Sequence, residues 1–360
     1  MTSFKARPSV AIVGALYSCA CSGAAPEAAD AKPSPDTYPA SAQVSCTCSS
    51  SHQEIVDLGS LDPTPSIDYS VGLALNALGT VVGDSSVQGC PSGKTTHAFR
   101  WKAETGMVDL GGLDGNSSEA FGVNDQDEVV GNAATADGVT HAVVWDAENR
   151  VHELPTLGGP GSYARNINNR GQVVGAAEDA AGVKHPVIWD LKTGTVHDVN
   201  LPGSTLIDLN DSGVVIGTWA KSNGTRVPMK WTEQDGPTEL SGTVLAINNQ
   251  GEIAGYVVGR TGNVGVKWTA SGTAVSLPPL PNSRETTPWD INDLGALVGG
   301  VSTGPYTAAQ WDPTLRVSAI PLQTQYSTAV GINNCGDVTG TRSVKSAMHA
   351  YLWHPERAAQ

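Results

Sequence analysis

Between residues 55 and 354, short apolar runs alternate with Gly, Asn, Asp and Pro, and no stretch sustains a period of 3.6 residues. The pattern predicts many short strands joined by tight turns. One motif, apolar-Asn-x-x-Gly-x-apolar-x-Gly, organises them. It runs first from Leu75 to Gly83 and returns around Asn124, Asn168, Asn210, Asn248, Asn292 and Asn333, at intervals of 38 to 48 residues. A second motif ends in Trp at 101, 145, 189, 231, 268, 311 and 353, which places seven of the nine tryptophans at one repeat position.

Each repeat has room for four strands. The first precedes the Asn, as in Tyr163 to Asn168, and the second follows the Gly, as in Gln172 to Gly175. The third ends in the Trp, and a fourth follows a short turn, as in Met107 to Leu110. The turn at 168–171 reads as type I closed by a left-handed Gly171, and Asp127 fills that position in the second repeat. Four strands in a repeat of about 43 residues describe a propeller blade. The chain ends separate a ring from an open solenoid. The last repeat stops at Trp353 without a fourth strand, while Ile55 to Leu61 is a fourth strand with no Trp before it. The predicted fold is therefore all-β: a seven-bladed β-propeller over 54–357, with four antiparallel strands per blade, closed when strand 55–61 joins the last blade. Apolar residues three and one before the Asn, such as Phe121/Val123 and Leu245/Ile247, are expected to pack on neighbouring blades, as is the repeated Trp.

His97-Ala98-Phe99, the His-Ala pairs at 141 and 349, and the Asn-x-x-Gly-x-Val-Val-Gly runs resemble the HAF repeat of bacterial extracellular proteins. The resemblance spans 55 to 354 and implies an exported repeat domain, with no catalytic residue to carry over. Repeats four to six have Val227, Val264 and Thr307 in place of the His, so the His is not an obligatory functional group.

Residues 1–21 have the layout of a signal peptide: Lys5 and Arg7, a short apolar stretch from Val10 to Leu16, then Ser18 and Cys19. Leu16-Tyr17-Ser18-Cys19 resembles a lipobox, which implies lipidation at Cys19 and a bacterial envelope location; ordinary secretion after cleavage near Ala20 is the alternative. Residues 22–53 are rich in Ala, Pro, Ser and Asp, with little to bury, and read as a flexible tether. In an exported chain, Cys46, Cys48, Cys90 and Cys335 are expected in disulfides rather than on a metal. In the ring, Cys335 is expected to pair with Cys46 or Cys48, with the partner of Cys90 open.

A net charge of −14 argues against nucleic acid and anionic membrane surfaces as partners, so membrane contact is expected only through the lipid. There is no Gly-x-Ser-x-Gly elbow, His-Glu-x-x-His, Walker loop or EF-hand loop, and the acidic run Asn124 to Glu128 reads as a turn. No catalytic residue, cofactor or metal is expected, and the chain is read as a monomer.

A functional site should break the repeat. On the first strands, which should line the central channel, Arg165 and Trp289 depart from the aliphatic or Phe residues at their position. Asn166, Asp208 and Asp290 are polar where the other four repeats carry Ala or Gly, and Tyr69, Tyr163 and Tyr326 fall near the same mouth. A polar mouth with aromatics suits a small ligand or glycan. Two functions follow: a recognition or scaffold module with an unidentified protein or glycan ligand, or an extracellular hydrolase or lyase acting on a sugar or lactone.

Overall fold

The computed structural model describes residues 53–64, 68–88, 95–115, 117–302, 304 and 306–356. The signal segment, Cys19, all but the last residue of the tether, and Cys46, Cys48 and Cys90 lie outside them. The described residues form seven four-stranded antiparallel sheets arranged as a β-propeller. In six blades the strands follow chain order from the channel outward. The seventh is built from Ser327–Ile332, Val338–Val344 and Ala347–His354, and its outermost strand is Glu54–Gly59 from the other end of the chain. Ile55 pairs with Trp353 and Val56 with Leu352, so the predicted closure is present in register.

The repeated Trp is core. Trp145 is fully buried among Val82, Ala98 and Leu110 of the preceding blade, and its Nε1–H donates to the Leu110 carbonyl at 2.9 Å. Trp189 and Trp311 make the same bond to the carbonyls of Pro155 and Pro278. At the closing joint, Trp101 and Phe99 pack with Leu58, Ala350 and Leu352. A buried Trp per joint removes large apolar area; the Nε1–H groups of Trp268 and Trp353 are buried without such a carbonyl.

The motif Asn has a role that a turn alone does not require. Its Oδ1 accepts N–H groups of its own turn, as Asn210 accepts from Ser212 and Val214. Its Nδ2 donates to the backbone carbonyl of the corresponding Asn in the next blade. These bonds run from Asn76 to Asn124 (2.9 Å), on through each blade, and from Asn333 back to Asn76 (3.1 Å). Seven such bonds make an unbroken circle at one end of the channel. An Asp could hold the turn but lacks the donor. Asp127 takes the left-handed conformation expected of it, at φ 59°.

The repeated His also has a structural place. His97, His141, His185 and His349, on third strands, pair with Asp109, Glu153, Asp198 and Asp57 on the fourth strands of their blades at 2.8–2.9 Å. In the closing blade this pair joins the two ends of the chain.

Candidate functional site

Every innermost strand slips register three residues before the motif Asn, as between Ala164 and Asn166 or Pro288 and Asp290, and the third blade's strand slips once more between Gly158 and Ser162. One residue there opposes nothing on the partner strand, and such bulges re-aim side chains. The bulge residues Leu73, Phe121, Arg165, Ile207, Leu245, Trp289 and Val330 all line the central channel, a cavity of about 940 Å³. Packing onto a neighbouring blade is thus the role of the residue one before the Asn, while the residue three before it belongs to the channel wall. Six of the seven residues before the Asn are buried, such as Ile291 at 4% exposure and Leu209 at 5%, and Leu75 is half-buried.

The bulge also explains the last Gly of the motif. A Cβ at Gly175 would stand 1.9 Å from the Tyr163 carbonyl oxygen, and Gly83, Gly131 and Gly255 meet the same collision. Only Gly admits so close an inner strand.

Most of the bulge belt is aliphatic or Phe, and the two departures face the channel. The Arg165 guanidinium lies 5.7 Å from the centre of the Phe121 ring. Trp289 lines the wall with its Nε1–H buried. Tyr163 lines the wall under Lys184 Nζ, 4.2 Å from its ring centre. The third blade therefore offers the channel two cations, each placed against a ring, and the sixth blade offers an indole on the wall across from them.

Asn166, Asp208 and Asp290 border the channel but are engaged in blade joints. Asp208 accepts the N–H of Leu209 and, across the joint, that of Ile247 (2.8 Å), and receives a bond from Asn166 Nδ2. Asp290 likewise accepts from Ile291 and from Ile332 of the next blade, both at 2.8 Å. Burial pushes Asp208 up to about 6, against the three hydrogen bonds it accepts. Burial, with the nearby Asp208 adding to it, pushes Asp290 up to about 7. Both carboxyls hold neighbouring backbone in place, which the spacing of residues alone did not disclose.

At the turn face a second circle lies beside the Asn ring. In six of the seven blades the residue after the motif Asn donates its backbone N–H to the corresponding side chain of the next blade: Ala77 to Asp125, Asp125 to Asn169, Asn169 to Asp211, and onward to Asn334, at 2.8–2.9 Å. Side-chain amides also bridge these acids, as Asn249 Nδ2 does between Asp211 (3.1 Å) and Asp293 (3.2 Å). The acidic run at 124–128 is thus part of the turn circle. Among the described residues no three His, Cys, Asp or Glu side chains converge to hold a metal.

At the opposite face, where the innermost strands begin, sequence reasoning found Tyr69 and Tyr326 but missed Asp84, Glu119 and Tyr306. Tyr326 stacks on Tyr306 with ring centres 6.2 Å apart. Burial, then Asp84, Glu119 and Tyr326, push the Tyr69 phenol far above its usual range. Burial and then Glu119 push Asp84 up to about 7, and burial raises Glu119, with Arg165 opposing. The available signal was Asp in a strand next to Gly83, at a position that is Ala, Thr or Tyr in several other repeats.

No protein family matches the chain, and no curated protein does. Among solved structures, a streptogramin B lyase is similar at 15% identity and TM-score 0.54, over 83% of this chain and 97% of that one. The β-propeller domain of the Trilobed protease from Pyrococcus furiosus, described as having an open velcro topology, is similar at 10% identity and TM-score 0.56, over 80% and 95%. An acylaminoacyl peptidase from Pyrococcus horikoshii matches at 12% identity and TM-score 0.53, over 81% of this chain and 52% of that one. At such identities the likeness is one of fold. The class defined is the seven-bladed β-propeller, here with its ends joined in one hydrogen-bonded blade.

Proposed function

We propose that this chain is an exported HAF-repeat propeller, tethered through Cys19, that recognises a ligand in its central channel without transforming it. One observation carries the reading: on a wall repeated seven times, the aliphatic or Phe belt gives way only at Arg165 and Trp289. An indole face, and a guanidinium held against Phe121, suit a sugar ring bearing hydroxyl or carboxylate groups. A glycan array probed with the purified chain tests it. Binding should fall at least tenfold in both W289A and R165A, and a ligand held equally by wild type and both variants would remove the channel from the account.

A hydrolase or lyase reading draws on Asp208 and Asp290, whose proton affinities approach neutrality beside the channel. Each is engaged by two backbone N–H groups, which favours recognition over turnover. A disulfide from Cys335 to Cys46 or Cys48 belongs to the same proposal. In its support, the Cys335 turn lies at the end of the closing blade where Glu54 pairs with His354 and His354 bonds Asp337. Non-reducing peptide mapping should recover that cross-linked pair.

A further inference from the structure

The repeated scaffold supplies its own control: a side chain that departs from the residues most blades carry at its position is not explained by the blade. Four such departures meet at the channel face opposite the turns, across the seventh, first and second blades. Seven residues before the motif Asn, the first and seventh blades carry Tyr69 and Tyr326, where the others carry Ser117, Gly161, Gly203, Ser241 and Glu285. Five residues before it, only the second blade has an acid, Glu119. Next to the last Gly of the motif, only the first blade has an acid, Asp84.

Asp84 is the most telling of these. In the second blade its counterpart Asn132 accepts the backbone N–H of Ala164 across the joint at 2.9 Å. Asp84 is 8% exposed, yet among the described residues it accepts no hydrogen bond from backbone or side chain. A buried carboxyl without donors is costly, and a carboxyl beside it makes ionisation costlier still. Glu119 supplies that second carboxyl, and Arg165 is the cation within reach of Glu119. One acid is left over.

Its surroundings are aromatic. Tyr69 lies within electrostatic reach of Asp84, Glu119 and Tyr326, and Tyr326 stacks on Tyr306. The backbone places Tyr69 and Tyr326 alike, since their carbonyls accept the N–H of Ser86 and Ser343 in adjacent blades. An unpartnered buried acid flanked by electron-rich rings is complementary to a positive charge with N–H donors.

We infer that Asp84 and Glu119, flanked by Tyr69 and Tyr326, form a receptor for the protonated amine of a small organic ligand, at the channel face opposite the turns. The ammonium donates to the carboxyl that the fold leaves without a donor, and the phenol rings enclose its flanks. With Asp84 pushed up to about 7 by burial and then by Glu119, a nearby cation is enough to hold it charged at neutral pH. The net charge of −14 draws cations toward the mouth. The inference stands apart from the reading of Arg165 and Trp289, and its failure would leave that reading intact.

The test uses the purified full chain and isothermal titration with two amines, putrescine and glucosamine, each beside a neutral counterpart, 1,4-butanediol and N-acetylglucosamine. Saturable binding of an amine is expected, at least tenfold tighter than its counterpart and weakened at least tenfold in both D84N and E119Q. Both substitutions nearly conserve shape, and an unchanged melting transition would establish that each variant is folded. Binding of glucosamine alone would assign a sugar-borne amine, and of putrescine alone an alkyl amine. Binding of neither amine, equal binding of the neutral compounds, or full affinity in both folded variants overturns the inference.

Discussion

At the scale of single residues, each fixed position of the motif answers a distinct demand. The Asn must accept and donate at once, closing its own turn through Oδ1 and reaching the next blade through Nδ2. Asn210→Asp keeps the size and the turn but replaces the donor with a carboxylate facing the Asn248 carbonyl. It is expected to cost about 1–3 kcal/mol, the usual range for a buried group left unmatched, and urea unfolding of the variant would measure it. Asn168 and its six copies were legible in the sequence as turn formers. Their circle was not, because a turn signal is local and the acceptor lies 38 to 48 residues away in six of the joints and 257 residues away in the last. A hint was present: a turn alone would tolerate Asp or Ser, and none of the seven repeats uses either.

At the scale of elements, the closing strand is the one whose partners are farthest away in sequence. Glu54–Gly59 completes the last blade, covers Leu352 through Val56 and Leu58, and pairs Asp57 with His349 and Arg342. A chain beginning at residue 61 leaves Ala347–His354 as an unpaired edge. Loss of hydrogen-exchange protection over 347–354 is expected, with a lower melting temperature, while the third and fourth blades stay protected. Although burial works against it, the Gly59 N–H and His349 hold Asp57 below its usual 3.8. A lowered folded value means that this contribution is present above pH about 4 and fades as pH falls below it, so acid should loosen this blade early. Strand number, blade number and the closure could be read from periodicity and from the mismatched ends. The bulges could not, because one slipped residue leaves the apolar alternation nearly unchanged. As a result the residues three before the Asn read as blade packing, while Arg165 and Trp289 still stood out as departures.

At the scale of the whole molecule, the joints between blades decide how stability responds to pH. Asp208 and Asp290 sit in such joints with folded values raised to about 6 and about 7, chiefly by burial. The folded state therefore holds these protons more tightly than the unfolded chain. Their contribution is complete below pH about 4 and is lost as pH rises through 6 to 7, a fall on the order of a few kcal/mol at about 1.4 kcal/mol per unit. Melting temperatures of wild type should decline between pH 4 and pH 7 and level off above. A D208N/D290N variant should start lower, having lost backbone acceptors, and decline less; an equal slope in both would show that other groups carry the pH dependence.

Seven is an odd number, and the outer circle at the turn face has to contend with it. Carboxylate and amide take turns through Asp125, Asn169, Asp211, Asn249, Asp293 and Asn334, so that every acid lies between donors. Two kinds of residue cannot take turns around a loop of odd length. The leftover place is Ala77, which joins through its backbone N–H and presents neither charge nor amide. Ala77→Asn would set an amide beside Asp125 and should be neutral or stabilising in thermal melts, whereas Ala77→Asp would set two carboxylates side by side and should lower the melting temperature, more so at low salt. An eight-bladed relative built on the same turn would have no such parity defect and would have no need of the alanine.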